Sequence, residues 1–113
     1  MKIPNAEQAV IEVAKIREYL LSPTHSVGRF KAAFFSGLGY SIRDWRRLEN
    51  DLKAFAISEE AVGGRPSDYG KKYEVRGIIK GPNGKDAAIV TVWIVPFEDR
   101  IPRFVTAYPG EKP

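Results

Sequence analysis

Hydrophobic spacing divides this chain in two. In the first half apolar residues recur three and four positions apart, and beyond residue 70 they alternate with polar ones. Ala9, Val10, Val13, Ile16, Tyr19 and Leu20 predict an amphipathic helix over residues 6–21. Asn5 and Gln8 have the spacing of a capping box at its start. Ser22-Pro23 interrupts it, because the proline ring disfavours helical backbone in the residue before it. Phe30, Ala33, Phe34 and Leu38 are the tightest apolar cluster of this half and mark a second helix over 28–37. Gly37 and Gly39 close that helix, where glycine suits left-handed backbone. Ser41 and Asp44 give a second capping box, opening a third helix over 42–56 whose stripe is Ile42, Trp45, Leu48, Leu52 and Phe55.

Residues 61–70 read as a loop by composition. Over 71–80, Tyr73, Val75, Gly77 and Ile79 alternate with Lys72, Glu74, Arg76 and Ile78, a half-buried strand. Gly81-Pro-Asn-Gly84 is hairpin chemistry, with Asn-Gly expected to supply the positive φ angles of a tight turn. The strand over 86–95 is more continuously apolar, hence central, and Pro96 ends it. The last strand covers 103–108, and plain alternation points Phe104, Thr106 and Tyr108 to one face and Arg103, Val105 and Ala107 to the other. Trp45 and Trp93 read as core. The expected fold is α+β, a single domain over 1–113, with N-terminal helices packed on one face of an antiparallel three- to four-stranded sheet.

Composition narrows the function. At 113 residues with 43% hydrophobic and 28% charged, the chain is long enough for one core and too apolar to be disordered. The absence of cysteine excludes disulfides and thiolate metal sites, and a single histidine argues against zinc, so no metal or other cofactor is expected. No apolar run approaches the ~18 residues of a membrane span. The first residues, Met1-Lys2-Ile3-Pro4-Asn5, lack the apolar stretch of a signal peptide, so a cytoplasmic protein is expected. Eighteen Lys and Arg against 14 Asp and Glu leave a net charge of +4, compatible with nucleic-acid binding without requiring it. Acidic residues gather between Glu49 and Glu60; Arg29, Lys31, Lys71, Lys72, Arg76, Lys80 and Lys85 lie outside that block.

His25 is the one side chain whose ordinary pKa lies near neutrality, which makes it the candidate for proton transfer. Arg29 and Lys31 follow it at the start of the second helix, where backbone N–H groups favour anions. Neighbouring cations favour a neutral imidazole, able to act as a base. In the last strand, Thr106 and Tyr108 at i, i+2 offer two hydroxyls to one phosphate, and Lys72, Arg76 and Arg103 would form a cationic binding rim. Each also has an ordinary structural use: a loop histidine, a solvated helix face, strand-favouring Thr and Tyr. Walker loops, dinucleotide-binding turns and serine-nucleophile elbows are absent.

Lys2-Ile-Pro-Asn-Ala, Pro23-Thr-His-Ser-Val-Gly-Arg-Phe-Lys-Ala-Ala-Phe-Phe, Gly39-Tyr, Tyr69-Gly-Lys-Lys-Tyr, Gly81-Pro-Asn-Gly and Pro102-Arg-Phe-Val-Thr-Ala-Tyr-Pro together resemble an uncharacterised family of small bacterial domains. These occur alone, beside a small partner gene, or at the C-termini of polymorphic toxins. Their layout is similar to the barnase–EndoU–colicin–RelE ribonucleases, in which helices precede a four-stranded antiparallel sheet. The resemblance implies a toxin-like, metal-independent endoribonuclease acting by 2′-hydroxyl attack, with RNA as substrate and a small antitoxin or immunity protein as partner. His25, Arg29, Lys31, Thr106 and Tyr108 would be its catalytic residues, with Tyr108 or a lysine protonating the leaving oxygen. The chain departs from two-histidine ribonucleases in having no second histidine. That departure supports the alternative, a non-catalytic interaction module that docks a protein or a nucleic acid.

Overall fold

The computed structural model describes residues 1–110. Helices occupy the first half and a four-stranded antiparallel meander the second, an α+β fold. The helical layer begins with a 3-10 turn, Ala6–Gln8, followed by α1, Val13–Lys15, which continues as a π-helical turn over Ile16–Leu20. Then come α2, Arg29–Gly37, a 3-10 turn at Ile42–Asp44, and α3, Trp45–Ser58. The sheet consists of β1, Ala61–Pro66, β2, Gly70–Lys80, β3, Asp86–Pro96, and β4, Arg103–Pro109, in that spatial order.

The predicted helix over 6–21 is broken in the middle. The Val10 N–H donates to the Pro102 carbonyl at 2.9 Å, and the Phe104 N–H donates to the Val10 carbonyl at 2.9 Å, a parallel bridge to β4. These residues therefore pair with the start of β4's outer edge instead of closing a helix, which shields that end of the strand edge. Ala9 and Ile11 are buried there while Val10 and Glu12 are exposed, a period of two inside a stretch that otherwise spaces like a helix. Asn5 is no helix cap either: it takes left-handed backbone (φ 56°), and its Nδ2 donates to the Arg100 carbonyl. The Ser41 side chain likewise makes no capping bond.

Residues 61–66, expected as loop, are strand β1, paired to β2 through Ala61↔Val75, Val62↔Glu74 and Gly63↔Tyr73 before a bulge ahead of Pro66. The β2–β3 turn also differs from expectation. Gly84 alone takes positive φ (86°) there, and Asn83 instead tethers the turn to the end of α2, donating to the Gly37 carbonyl at 3.0 Å. Gly39 takes the left-handed position after α2 (φ 98°), whereas Gly37 stays helical.

The core lies between the helices and one face of the sheet. Ile16, Leu20, Phe35, Leu48, Leu52 and Ala56 from the helices meet Tyr73, Val75, Ile89, Trp93, Phe104 and Ala107 from the strands. Trp93 is fully buried; its indole N–H donates to Thr91 Oγ1 at 2.8 Å, and its ring meets Phe104 edge-on at 5.3 Å. Trp45 is half-buried against the core, with the Arg46 guanidinium over its ring. Within α2 the core residue is Phe35, not Phe30, which is 70% exposed.

Candidate functional site

A β-bulge in β4 builds the site. Phe104 pairs with Trp93 and Thr106 with Val92, so Val105 is an extra residue opposite β3. An inserted residue reverses the alternation beyond it. Ala107, opposite Thr91, is therefore buried in the core, while Thr106 and Tyr108 lie on the register positions of Val92 and Val90, the opposite face. The expected grouping of Phe104 with Thr106 and Tyr108 is corrected accordingly. The freed Val105 carbonyl accepts a hydrogen bond from Lys15 Nζ at 3.2 Å.

Thr106 sits at the strand edge, where α1 and α2 converge. Lys31 Nζ donates to Thr106 Oγ1 at 2.7 Å and also to the Tyr19 hydroxyl. The Tyr19 hydroxyl is itself 3.1 Å from Thr106 Oγ1. Three polar side chains from an N-terminal turn, a helix and the last strand thus close a triangle. Two ammonium groups flank the Tyr19 ring, Lys31 Nζ 4.8 Å and Lys15 Nζ 5.8 Å from its centroid. Burial pushes the Tyr19 pKa up. The hydrogen bonds from Lys31 and Thr106 and the charges of Lys31 and Lys15 push harder the other way, so the hydroxyl ends below the ordinary 10.0. All four side chains are half-buried, shielded enough to hold geometry yet open to a ligand.

Helix α2 reaches this triangle because Gly28 lets its first turn press onto the chain at Tyr19: a Cβ there would lie 2.1 Å from the Tyr19 carbonyl oxygen. His25 caps the same turn. Its Nδ1 accepts the N–H of Val27 at 3.0 Å and of Gly28 at 2.9 Å, the work an N-cap side chain performs. With Nδ1 accepting these two N–H groups, the ring nitrogen left to face a ligand is Nε2, which carries a hydrogen. The ring meets Tyr19 edge-on at 5.2 Å, and both border a shallow hollow shared with Glu12, Lys15 and Glu18.

The other sequence candidates are distributed around this centre. Arg29, two residues from Lys31, points about 200° away around the helix. It borders a separate groove with Leu21, Ala33 and Tyr40, and its Nη1 donates to the Ser26 carbonyl at 2.6 Å. Tyr108 follows Thr106 on the same face and makes no hydrogen bond to the triangle among the described residues. Lys72 and Arg103 flank Ile94 on the sheet face away from the helices. Arg103 is paired with Asp99 at 2.7 Å and Arg76 with Glu74 at 2.6 Å. Sequence reasoning missed Tyr19 and Lys15. Tyr19 fitted the helical apolar stripe, and the signal that distinguishes it, a lysine four residues earlier on the same face, is ordinary for a surface helix. Among the described residues no group of three or more His, Asp or Glu is placed to hold a metal ion, and no helix is long and apolar enough to cross a membrane.

Three N-terminal helices on a four-stranded meander, with a lysine–tyrosine–threonine triangle at the sheet's rim, define a small α+β domain carrying a polar edge site. The chain belongs to the family described as Domain of unknown function (DUF6883), whose model matches residues 2–111. Its fold is shared with a chain of the contact-dependent growth inhibition toxin–immunity protein complex from Klebsiella pneumoniae 342. That likeness has a TM-score of 0.70 at 18% identity, and covers 96% of this chain and 98% of the other. No curated protein matches it in sequence.

Proposed function

We propose that this domain is a toxin-type, metal-independent endoribonuclease whose centre is the Lys31–Tyr19–Thr106 triangle. The observation that carries the reading is the Lys31 ammonium, held between two hydroxyls from sequence-distant elements and lowering the pKa of one of them. An ammonium, a second lysine and a threonine hydroxyl are donors suited to a phosphodiester, and a lowered pKa gives Tyr19 a larger share of the phenolate form, the one that accepts a proton. In the proposed step the ribose 2′-oxygen bonds to phosphorus and the P–O5′ bond breaks. In its deprotonated form the Tyr19 oxygen takes the 2′-proton, and Lys15 protonates the leaving 5′-oxygen. Lys31 and Thr106 stabilise the charge that builds on the phosphoryl oxygens. His25 contributes its Nε2–H as a donor and its Nδ1 to the helix cap. The shared fold with a chain from a toxin–immunity complex supports a toxin role and an immunity-protein partner.

Recombinant protein incubated with tRNA or mRNA in EDTA tests this. The expected products carry 2′,3′-cyclic phosphate and 5′-hydroxyl ends. Lys31→Ala is expected to slow cleavage by about 10²–10³, the usual cost of one charge-stabilising group, and Tyr19→Phe by about 10²–10⁴, that of a general base. Intact RNA at all protein concentrations overturns the reading. The second reading, a non-catalytic interaction module, is favoured by one observation: His25 spends its Nδ1 on backbone N–H groups. Harmless expression of the wild type in a heterologous bacterium would support that module.

A further inference from the structure

Phe30 is the large side chain that the core leaves out: 70% of it is exposed, and Val27, one turn earlier, is 59% exposed. Leaving a phenylalanine in water forgoes one of the larger burial gains available to a small domain. One side of its ring is covered by the Arg29 guanidinium, 4.6 Å from the centroid, and that guanidinium is held by the Ser26 carbonyl. The pair is therefore organised in advance, which lowers the entropy lost on stacking a ligand. The next residue along the helix is Lys31, whose ammonium lies in the triangle. Charge points to the occupant: from Tyr19 to Arg43 the chain has no carboxylate, while it carries Arg29, Lys31 and Arg43. An exposed aromatic ring flanked by cations is the arrangement with which proteins stack the unpaired bases of single strands.

We propose that Phe30, backed by Arg29, is the platform on which a base of single-stranded RNA stacks, beside the phosphate engaged by Lys31. The proposal rests on the ribonuclease reading and adds to it the substrate form, unpaired RNA, and a residue that positions it. Phe30 is not one of the triangle's side chains, so its loss weakens binding and leaves the chemical step intact.

The test uses a labelled single strand with 2′-deoxy sugars, which lacks the attacking hydroxyl and cannot be cleaved. Binding by wild type, Phe30→Ala and Phe30→Trp is followed by fluorescence anisotropy, alongside cleavage kinetics on RNA. Phe30→Ala is expected to bind about five- to a hundredfold more weakly, the range of one lost base–aromatic stack, and Phe30→Trp at least as tightly as wild type. An abasic strand of the same length is expected to bind wild type and Phe30→Ala equally. On RNA, Phe30→Ala should raise KM with kcat unchanged. Equal binding of the base-bearing strand by wild type and Phe30→Ala overturns the platform and leaves the exposed ring to a protein partner. Tight, Phe30-dependent binding without any RNA cleavage sinks the nuclease reading and keeps the platform, so the two failures are distinguishable.

Discussion

Two tyrosines of this chain are pushed in opposite directions by what their hydroxyls meet. Tyr19 faces ammonium groups and is acidified. Tyr40 is buried and donates to Asp51 Oδ2 at 2.6 Å. Burial first, then the hydrogen bond and charge of Asp51, hold its pKa well above the ordinary value, with Arg47 opposing weakly. A raised folded-state pKa means the folded chain keeps a proton that the unfolded chain releases above about pH 10. The Tyr40 contribution is thus complete below pH 10 and is lost as pH rises from there through the folded-state value. At pH 7, Tyr40→Phe should lower stability by about 1.5–3 kcal/mol, the range for a hydrogen bond to a charged group. In urea titrations the gap between wild type and Tyr40→Phe should shrink as pH rises from about 10 to about 11; a constant gap would refute the assignment.

At the scale of elements, the placement of α2 decides whether the triangle exists. Its first turn lies against the Tyr19 backbone, and Gly28 makes the approach possible. Gly37, at the other end of the same helix, faces nothing within 4 Å. Two identical substitutions should therefore act in opposite directions. Gly28→Ala must move backbone and is expected to cost about 1–3 kcal/mol, and to slow RNA cleavage by separating Lys31 from Tyr19. Gly37→Ala should stabilise by about 0.4–1 kcal/mol through the unfolded state. Thermal unfolding of the two variants checks the signs. The elements themselves were legible to different degrees. The α3 stripe and the alternation of β2 were plain, because each follows one period for ten residues or more. Val10 and Val105 were not, because each departs from its element's period for the sake of a contact with a distant segment.

For the molecule as a whole, the helices cover one sheet face and leave Lys72, Arg76 and Arg103 on the other. Two of those three are already ion-paired, which weakens their claim as a nucleic-acid rim. Binding should instead depend on cations around the α2 edge. If Lys15 and Lys31 each meet one phosphate, the slope of log affinity against log salt for a single strand should be about −1.4, at roughly −0.7 per contact. Lys15→Ala should flatten it by about 0.7, while Phe30→Ala should leave it unchanged because stacking releases no counterion. Titrations at several salt concentrations give both slopes.

By itself the sequence determined the fold class, the helix-then-sheet order, the hairpin position and the burial of Trp93. These follow from hydrophobic period, turn residues and side-chain size, all of which act over short stretches of chain. It also picked out Lys31 and Thr106 as polar residues on suitable elements. Tertiary structure alone decided that they touch, that Tyr19 completes the group, that Arg29 turns to another groove and that His25 caps a helix. Such outcomes depend on a one-residue bulge in β4 and on a glycine against a carbonyl, features whose effect is fixed only when segments far apart in the chain are packed together.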